Sequence, residues 1–192
     1  MHILLKLPLL YEGLIQLRES IERHNHWNMS REYSDEVGKP LLRIGMRKSF
    51  LEPPNGDYTI DIDPLVKEIE GGIWADERCI PFGDKQFGVC FNEHTLEHLH
   101  NPQDVQDAVN ECVRVADKAV FLAPSPYSII ANLHPTHFLR LWVDPINNKI
   151  RVERNRYRIS WNIKNPPRIG QYMITQNTAP QIVTLGSGFT IS

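Results

Sequence analysis

Histidine and glutamate are concentrated in one short stretch of the chain, at His94, Glu97 and His98. Their order, H-x-x-E-H, is that of the inverted zinc-protease motif. On a helix, two histidines four residues apart share one face and can bind Zn²⁺, with the glutamate as general base. Candidates for a third ligand further along the chain are Glu111, His134, His137 and Glu153. The motif leaves a zinc hydrolase open as a remote alternative.

Two acidic side chains lie at the end of an apolar run, Tyr58–Ile62. Asp61 is within the run, and Asp63 follows it directly. In an open α/β sheet, ligands bind beyond the carboxyl ends of the strands, and a carboxylate there can accept hydrogen bonds from ribose hydroxyls. Asp63 directly precedes Pro64, which favours the first position of a helix, so Asp63 is placed to cap that helix. We therefore assign Asp63 mainly to capping.

The first part of the chain predicts a helix over Leu9–His24, followed by a polar connection over residues 25–39. Apolar side chains three or four residues apart define one face of this helix. They are Leu10, Leu14, Leu17 and Ile21. The apolar run of Met1–Leu10 is broken by a lysine and a proline, so we expect neither an export signal nor a membrane span.

Apolar runs alternate with amphipathic segments from residue 40 to residue 123, which predicts β-strands joined by helices. The predicted strands are Leu41–Gly45, Tyr58–Ile62, Ile73–Ala75, Phe87–Phe91 and Ala119–Ala123. One helix should begin at Pro64, and another should cover Gln103–Val115. This alternation is typical of an α/β fold with a mainly parallel sheet.

Beyond Pro126 the pattern changes to strands without intervening helices. Lys149–Ser160 predicts a strand or a hairpin arm. Gln181–Leu185 and Phe189–Ile191 predict a terminal hairpin around two glycines. The sheet is therefore expected to finish with antiparallel strands.

The run ADERCIPFGDKQFGVCFNEHTLEHLHNP, from Ala75 to Pro102, resembles the middle of the class I S-adenosylmethionine-dependent methyltransferases. In their small-molecule (type 11) branch the run is roughly D-A-x-x-L-P-F-x-D-x-x-F-D-x-V, followed by L-E-H-L and a proline. The positions in register are Asp76, Pro81, Phe82, Asp84, Phe87, Val89, Leu96, Glu97, His98, Leu99 and Pro102. The resemblance implies a Rossmann-like sheet of about seven strands, mostly parallel with an antiparallel C-terminal hairpin, and helices on both faces.

The resemblance also implies S-adenosylmethionine as the cofactor and a set of residues that contact it. Asp61 aligns with the acid that binds the ribose, and Asp76 with the acid that accepts a hydrogen bond from the adenine amino group, with Glu77 beside it. Gly45 belongs to the glycine loop that lets the backbone approach the cofactor. Asn92 lies at the end of the fourth strand, beside the same site.

The candidates for catalytic residues are histidines near the ends of the fourth and fifth predicted strands. Methyl transfer needs a base only where the acceptor must lose a proton. Histidine suits that role because its pKa lies near neutrality. His94 and His137 are the candidates, and no metal ligands are assigned.

The glycine loop departs from the family pattern, D-x-G-x-G-x-G. Only Gly45 remains of its glycines, Arg43 stands where the acid is usual, and residues 46–48 are Met, Arg and Lys. Bulky side chains here would fill the cofactor pocket or force another pose. Gly88 likewise stands where the family usually has Asp. A catalytically inactive methyltransferase-like binding or scaffolding protein is therefore the second hypothesis.

Length and composition are those of one globular domain: 192 residues, 41% hydrophobic and 23% charged. We expect a single domain over residues 1–192, with a cofactor-binding core over 40–137. The N-terminal helix and connection cover 1–39, and a basic β-rich part covers 138–192. The cysteines lack the spacing of a disulfide framework or a metal knuckle, which favours a cytoplasmic setting. They are Cys79, Cys90 and Cys112.

Charge is unevenly spread. Residues 1–138 carry 13 Lys and Arg against 21 Asp and Glu, a balance of −8, whereas residues 139–192 carry 8 against 2, a balance of +6. The basic part leaves a nucleic-acid partner open, but a solvated strand pair decorated with arginine is favoured.

The main prediction is an S-adenosylmethionine-dependent methyltransferase acting on a small molecule or a sugar or polysaccharide precursor. The sequence does not determine the oligomeric state.

Overall fold

The structure, a computed structural model, describes residues 2–144, 149–157, 172–174, 183–185 and 188–191. Three α-helices occur in these ranges: α1 (His2–Glu36), α2 (Pro102–Val115) and α3 (Ile129–Leu133). The strands there are β1 (Leu41–Ile44), β2 (Tyr58–Asp61), β3 (Gly72–Trp74), β4 (Phe87–Glu93), β5 (Ala116–Leu122), β6 (Leu139–Asp144), β7 (Lys149–Arg154), β8 (Tyr172–Ile174), β9 (Val183–Leu185) and β10 (Gly188–Ile191). Short 3₁₀ helices cover Pro64–Glu68 and Leu96–His98.

Seven strands form the main sheet, in the order β3-β2-β1-β4-β5-β10-β9. The first five are parallel to their neighbours. Strand β10 runs antiparallel to both β5 and β9 and so closes the sheet as a C-terminal hairpin. The predicted α/β fold, with about seven strands and an antiparallel finish, is confirmed.

Helices cover both faces of the main sheet. On one face, Trp27 of α1 packs edge-on against Phe91 of β4 with their ring centroids 5.2 Å apart. On the other face, α2 buries Val105, Val109 and Cys112 completely. Helix α2 begins with Pro102, and the side chain of Asn101 caps it by accepting a hydrogen bond from the Asp104 N–H. The predicted helix over Gln103–Val115 is therefore confirmed.

Helix α1 is longer than predicted, because residues 25–36 are helical rather than a connection. The polar character of this segment is misleading, since His26, Ser30 and Ser34 are buried against the sheet. Within the described part of the chain, no helix combines the length and the hydrophobicity that a membrane crossing needs.

The N-terminal half of α1 is turned with its polar side inward. The predicted apolar face is exposed, with Leu10, Leu14 and Leu17 each about 60% accessible. The buried side instead carries Glu12 and Glu19. A carboxylate is buried only where hydrogen bonds replace its water. Here those hydrogen bonds come from the segment that follows β5.

Glu12 ties α1 to the start of α3. Its carboxylate accepts hydrogen bonds from the Ser128 hydroxyl (2.6 Å) and the Ile129 N–H (2.8 Å). Burial raises the pKa of Glu12, but the hydrogen bonds from Ser128, Ile129 and Gln16 outweigh burial and hold the pKa below its ordinary value. The ionised carboxylate is therefore the form that stabilises the fold.

We expect Glu12→Gln to lower the free energy of unfolding at pH 7 by about 1–2 kcal/mol, since charge-assisted hydrogen bonds are lost. Because the folded-state pKa is lowered, this stabilisation is present above the ordinary carboxyl pKa and disappears as the pH falls through the folded value. Urea unfolding at pH 7 and pH 3 checks both statements, with the exposed Glu32→Gln as control. An equal loss at both pH values would contradict the ionic role of Glu12.

A second sheet, of order β6-β7-β8 and antiparallel, was not predicted as such. The sequence marked only Lys149–Ser160, of which β7 forms the first part and residues 158–160 lie outside the described ranges. Leu139, Leu141 and Val152 of this sheet are buried in the same core as α2. Strand β5 also starts earlier than expected, at Ala116, because it follows α2 without a turn.

Candidate functional site

The carboxyl ends of the parallel strands form one edge of the main sheet, and the chain turns sharply where β1 reaches it. Gly45 has φ +88°, a conformation that only glycine adopts without strain. A Cβ atom there would lie 2.9 Å from Thr95 Cγ2 and 3.3 Å from the Glu93 carbonyl oxygen. Glycine is therefore required at this position by both conformation and space.

Arg43 lies in β1, and its side chain reaches the loop that follows; sequence reasoning noted it only as a departure from the family pattern. It is 1% exposed. Its Nε donates to the Gly45 carbonyl oxygen (2.8 Å), and its Nη1 donates to those of Pro53 and Pro54. Its Nη2 lies 3.0 Å from Glu93 Oε2, an ion pair without the alignment of a hydrogen bond. The guanidinium thus ties the loop over residues 45–57 to the sheet.

The bulky residues of this loop do not all face the strand ends, since Arg47 and Lys48 are exposed. Asp61, at the end of β2, supports the loop: its Oδ2 accepts the Met46 N–H and its Oδ1 the Asp63 N–H, both at 2.8 Å. Each oxygen keeps a further lone pair. Asp63 Oδ1 accepts the Leu65 N–H at 3.0 Å, which confirms Asp63 as a helix cap.

The acids after β3 differ in environment. Asp76 is half-exposed, and hydrogen bonds from the Arg78 guanidinium hold its pKa below the usual range. Glu77 is buried, which raises its pKa, and it accepts hydrogen bonds from Asn92 Nδ2 and Thr95 Oγ1, both at 2.7 Å. The structure therefore brings two predicted cofactor residues, Glu77 and Asn92, into one buried contact between β3 and β4.

The helix proposed for H-x-x-E-H does not form. His94 ends β4 with φ +52°, and only a 3₁₀ turn over Leu96–His98 follows. Thr95 donates its hydroxyl proton within the Glu77–Asn92 contact, so its backbone is held at the strand end rather than in a helix. His94 and His98 consequently do not share a helix face, and the predicted helical zinc-protease geometry is wrong.

Glu97 is the buried centre of a histidine cluster. Sequence reasoning named its members as candidates for a helical zinc site or for a catalytic base and did not predict this burial. No other described residue makes a hydrogen bond to either of its carboxylate oxygens, and burial raises its pKa to about 8. His94 Nδ1 lies 3.8 Å from Glu97 Oε1, and His137 Nε2 lies 4.0 Å from the same oxygen. The two predicted catalytic histidines therefore face one carboxylate, although 43 residues separate them in sequence.

Two further histidines complete the cluster. The ring of His98 lies 4.8 Å from that of His137, and the ring of His134 lies 4.4 Å from that of His137 at an interplanar angle of 32°. Burial is the main cause that lowers the pKa of His94 to about 3 and that of His137 to about 4. Both imidazoles are therefore neutral at pH 7 and keep a lone pair that can bind a metal, but they accept a proton less readily than a free imidazole.

A narrow pocket opens beside this cluster, between the segment after β5 and the second sheet. Glu97 and His137 contribute to its wall, together with residues of β6. The remaining lining comes mainly from residues 124–126, 131–132 and Asn155. The pocket lies at the same edge of the sheet as Gly45 and Asp61, which is where ligands bind in open α/β folds.

Comparison with known proteins gives one family match. A family model described as a methyltransferase domain matches residues 65–123. A search of curated proteins finds no match. This segment begins in the 3₁₀ helix after β2 and runs through β3, β4, α2 and β5.

Three solved structures are similar at low identity. The N-methyltransferase NodS from Bradyrhizobium japonicum WM9, in complex with S-adenosyl-L-homocysteine, is 15% identical with a TM-score of 0.37, covering 51% of this chain and 60% of NodS. PH0226 protein from Pyrococcus horikoshii OT3 is 12% identical with a TM-score of 0.42, covering 91% and 89%. An S-adenosylmethionine-dependent methyltransferase from Mesorhizobium loti is 15% identical with a TM-score of 0.36, covering 68% and 64%.

The chain thus spans less than two thirds of NodS and of the Mesorhizobium loti protein. The family match covers β3, β4, α2 and β5, including the run from Ala75 to Pro102, and leaves out β1 and β2. That match spans 59 of the 192 residues, and over this segment the chain is similar to methyltransferase domains.

Proposed function

We propose that this protein is an S-adenosylmethionine-dependent methyltransferase that acts on a small molecule or on a sugar or polysaccharide precursor. The observation that carries the proposal is the position of Gly45, Asp61 and Asp76 at the carboxyl ends of three neighbouring parallel strands. Parallel strands bring their carboxyl ends to one edge, which is the ligand-binding edge of open α/β sheets.

The residues at this edge fit the cofactor in three respects. Gly45 allows the backbone to approach a ligand closely. Asp61 keeps lone pairs for ribose hydroxyls, and Arg47 and Lys48 are exposed rather than buried at the strand ends. Bound S-adenosylmethionine would supply an electrophilic methyl group. The chain's own task is to hold it, align the acceptor and exclude water.

The acceptor site that we propose is the pocket beside His137. His94 and His137 stay the candidates for accepting the acceptor's proton, since both face Glu97. Their lowered pKa values make them weaker bases than a free imidazole, so binding of the acceptor would have to raise them. If replacing both histidines left methyl transfer intact, neither would act as the base.

A nucleic-acid partner for the basic C-terminal part stays a prediction. In that part, Arg140 is paired with Glu153 at 2.9 Å.

The second candidate function, a catalytically inactive binding or scaffolding protein, is favoured by one observation. Arg43 is buried where the family usually has an acid, and its guanidinium binds the backbone of the loop itself. Each carboxylate oxygen of Asp61 also accepts a hydrogen bond from a backbone N–H of the chain itself, that of Met46 or that of Asp63. Both features stabilise the loop without a ligand.

Calorimetric titration of the cofactor-stripped full chain separates these two functions. We expect S-adenosylmethionine and S-adenosyl-L-homocysteine to bind with micromolar affinity, about −8 kcal/mol. Asp61→Asn should weaken both by at least tenfold, because a ribose-binding carboxylate loses its charge and one acceptor oxygen.

Asp63→Asn is the matched control, since it makes the same change at the same strand end in a residue that caps a helix. It should leave both affinities within about twofold. If neither ligand binds the wild-type chain, the methyltransferase proposal fails and the binding or scaffolding function takes its place.

A further inference from the structure

The side chain of Glu97 is the most unusual buried group among the described residues. It is 2% exposed, and no other described residue makes a hydrogen bond to Oε1 or Oε2. Burying a carboxyl group without partners is costly, and buried carboxyl groups are normally paired or bound to a metal ion. Glu97 therefore needs a partner that the described part of the chain does not supply.

Two histidines present nitrogen atoms to this carboxyl group. One ligand atom each from Glu97, His98 and His137 lies within 4.8 Å of the other two. In a tetrahedral zinc site, with metal–ligand bonds of about 2.1 Å, ligand atoms lie roughly 3.4 Å apart. Side-chain rotations that bring these ligand atoms about 1 Å or more closer together would convert the cluster into a coordination site.

Hydrogen bonds already orient both histidines for this role. His98 Nδ1 lies 3.1 Å from the Thr136 carbonyl oxygen, and His137 Nδ1 lies 2.9 Å from that of Ala131. A carbonyl oxygen only accepts hydrogen bonds, so each Nδ1 carries the proton and each Nε2 keeps its lone pair. Metal-binding histidines are typically held in this way, by donation of the other ring N–H to a carbonyl or carboxylate.

We propose that Glu97, His98 and His137 form a binding site for one divalent transition-metal ion of the Zn²⁺ type. Two imidazole nitrogens and one carboxylate oxygen suit zinc, whereas Mg²⁺ and Ca²⁺ prefer oxygen ligands alone. The set differs from H-x-x-E-H because His94 sits in the turn at the end of β4, while His137 comes from the segment after α3.

The location of the site indicates what the ion does. Glu97 and His137 line the narrow pocket, so the coordination position that three protein ligands leave open faces it. Through that position the ion holds an oxygen, nitrogen or sulfur atom of a bound small molecule. Its role toward a methyl acceptor rests on the proposed function, but the metal site itself does not. With His137 bound to metal, the base would be His94.

The test is titration of the chelator-stripped full chain with Zn²⁺ and with Co²⁺, without cofactor or acceptor. We expect one ion per chain with a Kd near or below about 1 μM, and Co²⁺ absorption bands typical of tetrahedral coordination. His98→Gln, His137→Gln and Glu97→Gln should each weaken Zn²⁺ binding by about 100-fold, as loss of a ligand should cost at least what loss of its supporting partner does.

His100→Gln is the control, because His100 stacks on Phe138 and is not part of the ligand set. It should bind Zn²⁺ like the wild type. The proposal is overturned if the wild type binds no Zn²⁺ at 100-fold the expected Kd. It is also overturned if a folded His98→Gln/His137→Gln variant, checked by circular dichroism, binds it unchanged. Because no cofactor is present, failure of the methyltransferase proposal would leave these results unaffected.

Discussion

Replacing Arg43 by Met is expected to lower the free energy of unfolding by about 3–5 kcal/mol, because it removes the nearer of the two charged partners of a buried carboxyl group. Glu93 lies 3.0 Å from Arg43 and is itself buried. Its other ion pair, with Arg23 at 3.3 Å, remains but does not replace the lost charge. The carbonyl oxygens of Gly45 and Pro54 also lose their donor, so the loop after β1 should loosen.

Urea unfolding measures this effect, and Arg47→Met is the matched control at an exposed position of the same loop. The control should change stability by less than about 0.5 kcal/mol. The double variant Arg43→Met/Glu93→Gln should recover part of the loss, since it removes the orphaned charge as well. If the single and double variants were equally unstable, the ion pair would not be the source of the effect.

Gly88→Asp is expected to destabilise the fold by about 3 kcal/mol or more, although the resembling family usually has Asp at this position. A Cβ atom on Gly88 would lie 2.8 Å from Ser34 Oγ, 2.9 Å from Ser34 Cα and 3.1 Å from Val37 Cγ2. Because one of these contacts is with backbone, the end of α1 would have to move. The new carboxylate would also be buried, since Ser34 is fully inaccessible.

Gly13→Asp provides the same chemical change in α1, where a Cβ atom meets nothing within 4 Å. That variant should be neutral or slightly stabilising, because glycine is a poor helix former. Thermal unfolding of both variants, followed by circular dichroism, tests the argument. A Gly88→Asp protein as stable as the control would mean that α1 does not pack closely on β4.

Local pattern and a run of family residues were enough to predict the central sheet. The short apolar runs at Leu41–Ile44 and Phe87–Phe91 are strands because they are buried on both faces, which gives a nearly continuous hydrophobic sequence. The spacing of Val105, Val109 and Cys112 likewise marks one helix face. Gly45, Asp61 and Asp76 could be placed at one edge because strand direction alone brings them there.

The orientation of α1 depended on tertiary contacts. Its leucine spacing predicts an apolar face turned inward, yet Glu12 and Glu19 are the buried residues. The reason lies more than 100 residues away, in the Ser125 and Ser128 groups that donate hydrogen bonds to them. No local pattern contains that partner. The same holds for residues 25–36. They are helical although their sequence is polar, because one side of this segment packs against the sheet.

The candidate site also combines features that the local sequence predicts with features that depend on tertiary contacts. The sequence by itself determined that His94, Glu97, His98 and His137 are candidates for chemistry, and it predicted that the acidic strand ends contact a cofactor. Only the tertiary structure decided that Glu97 is buried among the histidines and that His137 replaces His94 beside His98. Burial and the direction of a side chain are set by residues distant in sequence, so spacing along the chain could not reveal them.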